Sequence, residues 1–203
     1  MALLSALLAR ATRRRGSRGV VEGAILSTAL LLVQQRGAPG LAGQAGQAPE
    51  YQVKAVFLFN FAQFVDWPAA AFPEPGTPIV IGILGNDPFE GFLEQTIRGE
   101  QIRGRGFEVR RYHSLEEIKT CHILFISRPE GDRPEAILAG LRKSPILTVS
   151  DADGFAERGG MIRFVTDRTH IRLQINVDAA QAANLTISSK LLRVADIAAP
   201  RGR

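Results

Sequence analysis

Three short apolar segments constrain the fold of this chain more than any other feature of its sequence. They are Ile79–Leu84, His122–Ser127 and Ile146–Ser150, and each contains several β-branched or aromatic residues. Apolar runs of this length are typical of strands that are buried on both faces, as in a parallel sheet covered by helices. Segments with helical character separate them, so the sequence predicts an α/β domain.

The segments around these strands complete the predicted fold. From Pro49 to about Val65, apolar residues recur at spacings of three and four, which predicts a long and largely buried helix. The alternating Phe107–Tyr112 is typical of a more exposed strand, while Met161–Val165 and His170–Asn176 are predicted to form a C-terminal β-hairpin. Shorter helices are predicted at about 87–97, 114–119, 133–142, 177–184 and 188–195. We therefore predict a single α/β domain with a mostly parallel sheet of roughly five to six strands, helices on both faces and a C-terminal β-hairpin.

Charge is divided unequally between the start of the chain and the rest. Residues 1–48 carry six arginines and one glutamate, whereas residues 49–203 carry 19 basic and 19 acidic groups. The apolar run Ala24–Val33 follows the arginines at 13, 14, 15 and 18 and is too short to span a bilayer, which takes about 20 residues. This order is typical of a secretory signal, and a disordered basic tail, the alternative, has no need of an apolar core.

The domain boundaries follow from this division of charge. We expect residues 1–48 to be a signal peptide with a linker, cleaved after Ala45 or Ala48, residues 49–197 to be the folded domain, and residues 198–203 to be a loose tail. The net charge of the expected mature domain is zero, so it lacks the positive charge that drives phosphate contact. A nucleic-acid binder is therefore disfavoured.

Catalytic and metal-binding patterns are missing from the sequence. There is no P-loop and no G-x-G-x-x-G pattern, and the histidines at 113, 122 and 170 have no metal-ligand spacing. Cys121 and His122 resemble a nucleophile beside a base, but neighbours on a strand point to opposite faces, so we expect a structural cysteine. The chain has one cysteine, which excludes an intramolecular disulfide. We expect no enzymatic activity, no metal and no cofactor.

Candidate ligand-binding residues occur in three places. The loops that follow the buried strands should meet at the carboxyl edge of the sheet, where clefts of α/β domains open. A basic turn precedes the strand at Phe107, and two polar residues share one face of the last strand. The candidates are Asn86, Asp87, Arg105, Asp151, His170 and Arg172. The structural alternatives are a helix cap at Asp87 and solvent-facing side chains at the basic and histidine positions.

Aromatic residues crowd the first predicted helix. Phe57, Phe61 and Trp67 are candidate partner-binding residues, because aromatic side chains around a helix are able to form an interface with a partner or a second copy of the chain. Their structural alternative is the core of the domain. Trp67, which follows the helix and precedes Pro68, is the candidate we expect to be most exposed.

An ordered series of short segments extends from about residue 51 to 195. The segments are 51–68, Gly85–Phe89, Ile102–Arg105, Cys121–Ser127, Ile146–Asp151, Gly159–Ile162, Ile175–Asn176 and Ile187–Leu192. This series resembles the YfiR-like family of periplasmic regulatory proteins. The resemblance covers nearly all of the expected mature domain.

The resemblance implies an exported, periplasmic α/β domain without enzymatic activity. The best-understood relative represses a membrane-bound diguanylate cyclase by binding its periplasmic sensor part, which lowers cyclic di-GMP signalling and disfavours biofilm. An outer-membrane lipoprotein sequesters that repressor, and the repressor forms homodimers. With Cys121 alone, this chain has no redox control through intramolecular disulfides. A periplasmic small-ligand-binding module at the carboxyl edge is the alternative, and a hydrolase would need a nucleophile and a base within hydrogen-bond reach.

Overall fold

The computed structural model describes residues 47–131, 134–167 and 170–199. The helices are α1 (Gln47–Phe64), α2 (Phe92–Ile97), α3 (Arg128–Gly131), α4 (Glu135–Leu141), α5 (Val177–Ala182) and α6 (Ser189–Leu192). The strands are β1 (Val65–Asp66), β2 (Ile79–Leu84), β3 (Phe107–Tyr112), β4 (Ile123–Ile126), β5 (Leu147–Ser150), β6 (Ile162–Asp167), β7 (His170–Ile175), β8 (Thr186–Ile187) and β9 (Asp196–Ile197). The predicted signal peptide up to residue 46 and the predicted tail from residue 200 lie outside the described residues.

Seven strands form the main sheet, in the order β3-β2-β4-β5-β6-β7-β9. The strands from β3 to β6 are parallel, and β7 pairs antiparallel with β6 as the predicted hairpin. The prediction of an α/β domain with a mostly parallel sheet is therefore confirmed. The sequence missed β9, which pairs with β7 over two residues and is too short to show a period. A second sheet pairs β1 with β8 and joins the end of α1 to the segment before α6.

The two faces of the main sheet carry cores of different size. On one face, Leu58 and Phe61 of α1 are fully buried against Phe125 and Phe164. Burying a side chain such as Phe61 contributes about 1.5–3 kcal/mol, so α1 is held mainly by apolar contacts. The other face has a smaller core, which includes Leu141 of α4. The predicted long buried helix and the helices on both faces are thus observed.

Capping side chains are present at the starts of α5 and α6 but not at the start of α2. Asn176 accepts a hydrogen bond from the backbone N of Ala179 at 2.9 Å and caps α5, and the Ser188 hydroxyl accepts from Lys190 N and caps α6. The expected cap at Asp87 was wrong. Asp87 Oδ1 instead accepts from the backbone N of Phe89 at 2.8 Å, and α2 begins later, after positive φ angles at residues 90 and 91.

Candidate functional site

The carboxyl edge of the parallel strands carries a buried charge cluster formed by Tyr51, Lys54 and Asp151. The Lys54 ammonium donates to Asp151 Oδ2 at 2.6 Å, and the Tyr51 hydroxyl donates to the same oxygen at 2.8 Å. The Lys54 and Asp151 side chains are 1% and 2% exposed. A buried charge is costly unless it is paired, so each of these two groups depends on the other.

Helix α1 and the end of β5 together position this charge cluster. Glu50, Tyr51 and Lys54 share one face of α1, because residues three and four apart are neighbours on a helix. Glu50 adds a second carboxylate 2.5 Å from the Lys54 ammonium. Asp151 follows β5 in a turn in which the Ser150 hydroxyl donates to the backbone O of Ile126 and accepts from the backbone N of residue 152.

The tyrosine keeps its proton in this environment. Burial, followed by the negative charge of Asp151, raises the pKa of Tyr51 well above its ordinary value. The Tyr51 hydroxyl therefore acts as a hydrogen-bond donor, and its ring lies 4.3 Å from the Lys54 ammonium in a cation–π contact. These contacts pair the Lys54 ammonium and one carboxylate oxygen of Asp151 within the protein.

Arg128, from α3, approaches the charge cluster from the solvent side. Its Nη2 donates to the backbone O of Asp151 at 3.2 Å, and its Nε lies 3.9 Å from Asp151 Oδ1. Within the described ranges, that buried Oδ1 has no hydrogen-bond partner. Solvent exposure therefore increases across the cluster. The Lys54–Asp151 pair is buried, whereas the Arg128 side chain is 58% exposed and its contact with Asp151 is longer.

The crevice between β2 and β4, where α/β sheets commonly bind ligands, is filled by the protein itself. Ser127 donates to Glu130 Oε2 at 2.7 Å directly over Gly85. A Cβ atom at Gly85 would lie 2.4 Å from both the Ser127 hydroxyl and the Glu130 carboxylate, and φ at this glycine is +88°. Glycine is required here because the backbone and the two side chains leave no room for a larger residue.

The structure separates the six candidate ligand residues. Asn86 is exposed, and Asp87 pairs with Arg111 at 2.6 Å. Asp151 belongs to the charge cluster, farther along the same edge. Arg105 precedes β3 and so lies at the opposite, amino edge, where it donates to the backbone O of Thr77 at 2.9 Å.

The last two candidates lie on β7. His170 and Arg172 are exposed on one face of this strand, as the alternation predicts. Arg172 forms an ion pair with Asp196 of β9 at 3.2 Å. The nearest cross-strand neighbour of Arg172 in the hairpin is Val165. This surface is distinct from the charge cluster at Asp151.

A cavity of about 450 Å³ lies at the amino edge of the sheet, between α4 and α5. It is lined mainly by apolar groups, with charged side chains at its rim. The lining residues are Glu135, Leu138, Ala139, Leu141, Arg142, Thr148, Arg158, Gly159, Met161, Asn176, Asp178, Ala179 and Ala182. None of the six sequence-derived candidates lines it, because they were taken from the carboxyl-edge loops, from the basic turn before β3 and from β7.

The candidate partner residues differ in exposure. Phe61 is fully buried and stacks on Phe164, so its ring does not reach the surface. Phe57 is partly buried and packs on the same two rings. Trp67 is also partly buried, and its indole N–H donates to the backbone O of His122 at 3.2 Å.

Trp67, Phe72 and His122 form a cluster, the aromatic corner, at the amino edge of the sheet. Phe72 stacks on the His122 ring with centroids 4.4 Å apart, and Trp67 meets both rings edge-on. Arg105 lies over Phe72 at 4.3 Å. Sequence reasoning missed Phe72 because it stands in a proline-rich loop with no periodicity; its closeness to Trp67 in the chain was the available signal.

The fold and these clusters define the described part of the chain as an α/β domain with a mostly parallel sheet. No described helix has both the length and the apolar character to cross a bilayer. Likewise, no group of three His, Cys, Asp or Glu side chains in the described ranges is arranged to hold a metal ion.

A family model described as YfiR/HmsC-like matches residues 51–196, and the chain belongs to this family. The family consists of non-enzymatic regulatory proteins of the periplasm, whose members interact with a membrane sensor protein. A search of curated proteins finds no match to the chain.

Proposed function

We propose that this protein is an exported regulatory protein that binds the periplasmic sensor part of a membrane diguanylate cyclase and lowers cyclic di-GMP signalling. The observation that supports this most is the family match over residues 51–196, which spans both the charge cluster and the aromatic corner. The filled crevice at Gly85 is in keeping with it, since the usual ligand site of such sheets is closed by Ser127 and Glu130.

The surface proposed to contact the sensor includes Phe57, Trp67 and Phe72. Each of these aromatic side chains is partly buried, so each is already held in place and loses little freedom on binding. Partly exposed aromatic side chains are typical anchors of protein interfaces. Phe61 supports this surface from below as a core residue. The same surface is available for an outer-membrane lipoprotein or for a second copy of the chain.

Gene deletion tests the cyclase-repressor proposal. Deletion should raise cellular cyclic di-GMP, and the wild-type gene should restore the original level. A gene with Trp67→Ala should restore it less well than one with Val194→Ala, which changes an exposed apolar residue at 42% exposure on α6's C-terminal side. An unchanged cyclic di-GMP level after deletion contradicts the cyclase link, and a pull-down of the protein from membrane extract then identifies the actual sensor.

The cavity between α4 and α5 supports a second candidate function, the binding of a small ligand. Its volume of about 450 Å³ lies within the range of known ligand pockets, roughly 300–1,000 Å³. A thermal-shift screen against amino acids and nucleotides tests this function, because a ligand that binds only the folded state raises Tm. Leu138→Trp, which fills the cavity, should abolish any such shift, whereas a shift that survives this change places the ligand elsewhere.

A further inference from the structure

The ring of His122 is buried and uses both of its nitrogens. The residue is 1% exposed and lies directly before β4. Its Nδ1 accepts a hydrogen bond from the backbone N–H of Val80 at 3.0 Å, and its Nε2 lies 3.0 Å from the backbone O of Ala71. A carbonyl accepts and an amide donates, so these contacts require the neutral ring with its proton on Nε2.

This ring holds the segment Pro68–Thr77 against the sheet. Ala71 is tied by the Nε2 contact, and Phe72 is tied by the stacked rings. Trp67, at the start of the segment, is tied through the His122 carbonyl. Arg105 also holds this segment, through the backbone O of Thr77 and over the Phe72 ring. The imidazole is therefore one of two side chains that fix the aromatic corner, and of the two it is the one that gains a charge near neutral pH.

The charged groups that act on the ring, within the described residues, are cations. Arg105 lies behind Phe72, and Arg110 belongs to β3. Burial, which is the largest cause, and these two charges lower the pKa of His122, while the hydrogen bond to the backbone O of Ala71 acts against them. Cys121 and Tyr112, which pack in the core on the other face of the sheet, are uncharged at neutral pH, because burial raises the pKa of the Cys121 thiol to about 12 and also raises that of the Tyr112 phenol. The acids of the neighbouring segments, Glu74 and Asp66, are exposed, and Asp66 pairs with Arg103.

We propose that protonation of His122 opens the aromatic corner by releasing the segment Pro68–Thr77 from the sheet. When the imidazole takes a proton from solvent, Nδ1 becomes a donor and faces the Val80 N–H, which is also a donor. The positive ring then also lies near Arg105 and Arg110, so the segment Pro68–Thr77 leaves the sheet and carries Trp67 with it. This opening does not depend on the proposed function. Only its effect on sensor binding rests on that function.

The direction of the pH effect follows from linkage. In the closed state the pKa of His122 lies below its ordinary value of 6.5, whereas in the open state the ring has its ordinary pKa. The open state therefore binds the proton first, and the closed state loses stability as pH falls below 6.5. Between the two pKa values, the equilibrium constant for opening rises about tenfold for each unit by which the pH falls.

The full chain offers a test that leaves His122 unchanged. The chain has three histidines and one tryptophan, so the double variant His113→Asn/His170→Asn leaves His122 as the single imidazole and Trp67 as the single indole. NMR of the ring gives the titration of His122, while Trp67 emission and amide exchange at Ala71, Phe72 and Val80 report opening. We expect emission to shift to longer wavelength and protection to fall up to about tenfold per pH unit along the same curve.

His122→Asn serves as the matched variant, because its amide oxygen can accept from Val80 N–H and cannot be protonated near neutral pH. This variant should show no such transition. A Trp67 emission that stays constant while His122 titrates overturns the proposal, as does the same transition in a folded His122→Asn variant. These readouts need no partner, so failure of the proposed function does not affect them; if a sensor is identified, its binding should weaken at acid pH in wild type only.

Discussion

The two edges of the main sheet hold helix α1 and its continuation by different physical means. At the carboxyl edge, the start of α1 is fixed by the charge cluster of Tyr51, Lys54 and Asp151. At the amino edge, the segment after α1 is fixed by stacked rings around neutral His122. The carboxyl edge is stable when Lys54 and Asp151 are both charged, whereas the amino edge is stable when His122 is neutral. A change of protonation therefore acts on the two edges in different ways.

Lys54→Met should produce the largest loss of stability, because it leaves Asp151 as an uncompensated buried charge. Breaking a buried ion pair costs about 3–5 kcal/mol, measured as the free energy of unfolding in urea. Lys190→Met, at an exposed lysine of α6, is the matched control and should change stability by less than about 0.5 kcal/mol. If Lys54→Met is as stable as this control, the buried charge of Asp151 does not depend on Lys54. The double variant Lys54→Met/Asp151→Leu should recover part of the loss, because it removes both charges.

Gly85→Ala tests whether the crevice at the carboxyl edge is really filled. The new methyl group would meet Ser127 and Glu130 and would also occupy a positive φ. Gly91→Ala is the matched control, because Gly91 has φ +83° and open space around it. We expect the unfolding free energy to fall about 1–3 kcal/mol further for residue 85 than for residue 91, since overpacking adds to the shared backbone cost. Equal losses would mean that the crevice is open.

At the carboxyl edge, the strands were predictable from the sequence, whereas the ion pair between Lys54 and Asp151 was not. The strands β2, β4 and β5 were predicted because strands buried on both faces have continuous apolar sequences. Asp151 was recognised as a loop residue, but its partner Lys54 lies 97 positions away in the chain and carries no local signal. A lysine beside buried helix positions, three residues after a tyrosine, was the one available hint.

The amino edge was harder to predict because its contacts join loops. Arg105 was a candidate ligand residue in a basic turn. It precedes its strand and so lies at the amino edge, where its side chain donates to the backbone O of Thr77. Phe61 was a candidate contact residue, but the hairpin strand β6 places Phe164 on its ring. Periodicity identifies which residues are apolar, whereas strand direction and long-range packing decide which of them remain exposed.

Trp67→Phe should have a smaller effect than either change at the carboxyl edge. Phenylalanine keeps most of the packing against Phe72 but loses the indole hydrogen bond to the His122 carbonyl, which costs about 1 kcal/mol. Thermal unfolding followed by circular dichroism measures this loss, since the variant has no tryptophan. Phe59→Leu, a change at a partly buried ring of α1 that contacts β3, is the packing control. A loss above about 3 kcal/mol would show that Trp67 is a core residue and no part of a surface.

The rate of chemical labelling of Cys121 should report opening of the amino edge, because the thiol is buried there. Burial raises the pKa of this thiol to about 12, so at neutral pH the thiolate population is about a thousandfold lower than that of an unperturbed cysteine. Labelling by a maleimide should therefore be slow in the native protein and fast in urea. Cys121 lies at the same edge on the other face of the sheet, with its Sγ 4.0 Å from the backbone O of Val80, the residue whose N–H is bonded to His122. Loosening this edge by Trp67→Phe should therefore speed labelling more than Gly91→Ala, at the other edge. Equal acceleration by both variants would mean that labelling follows global unfolding, and the two edges would then open as one unit.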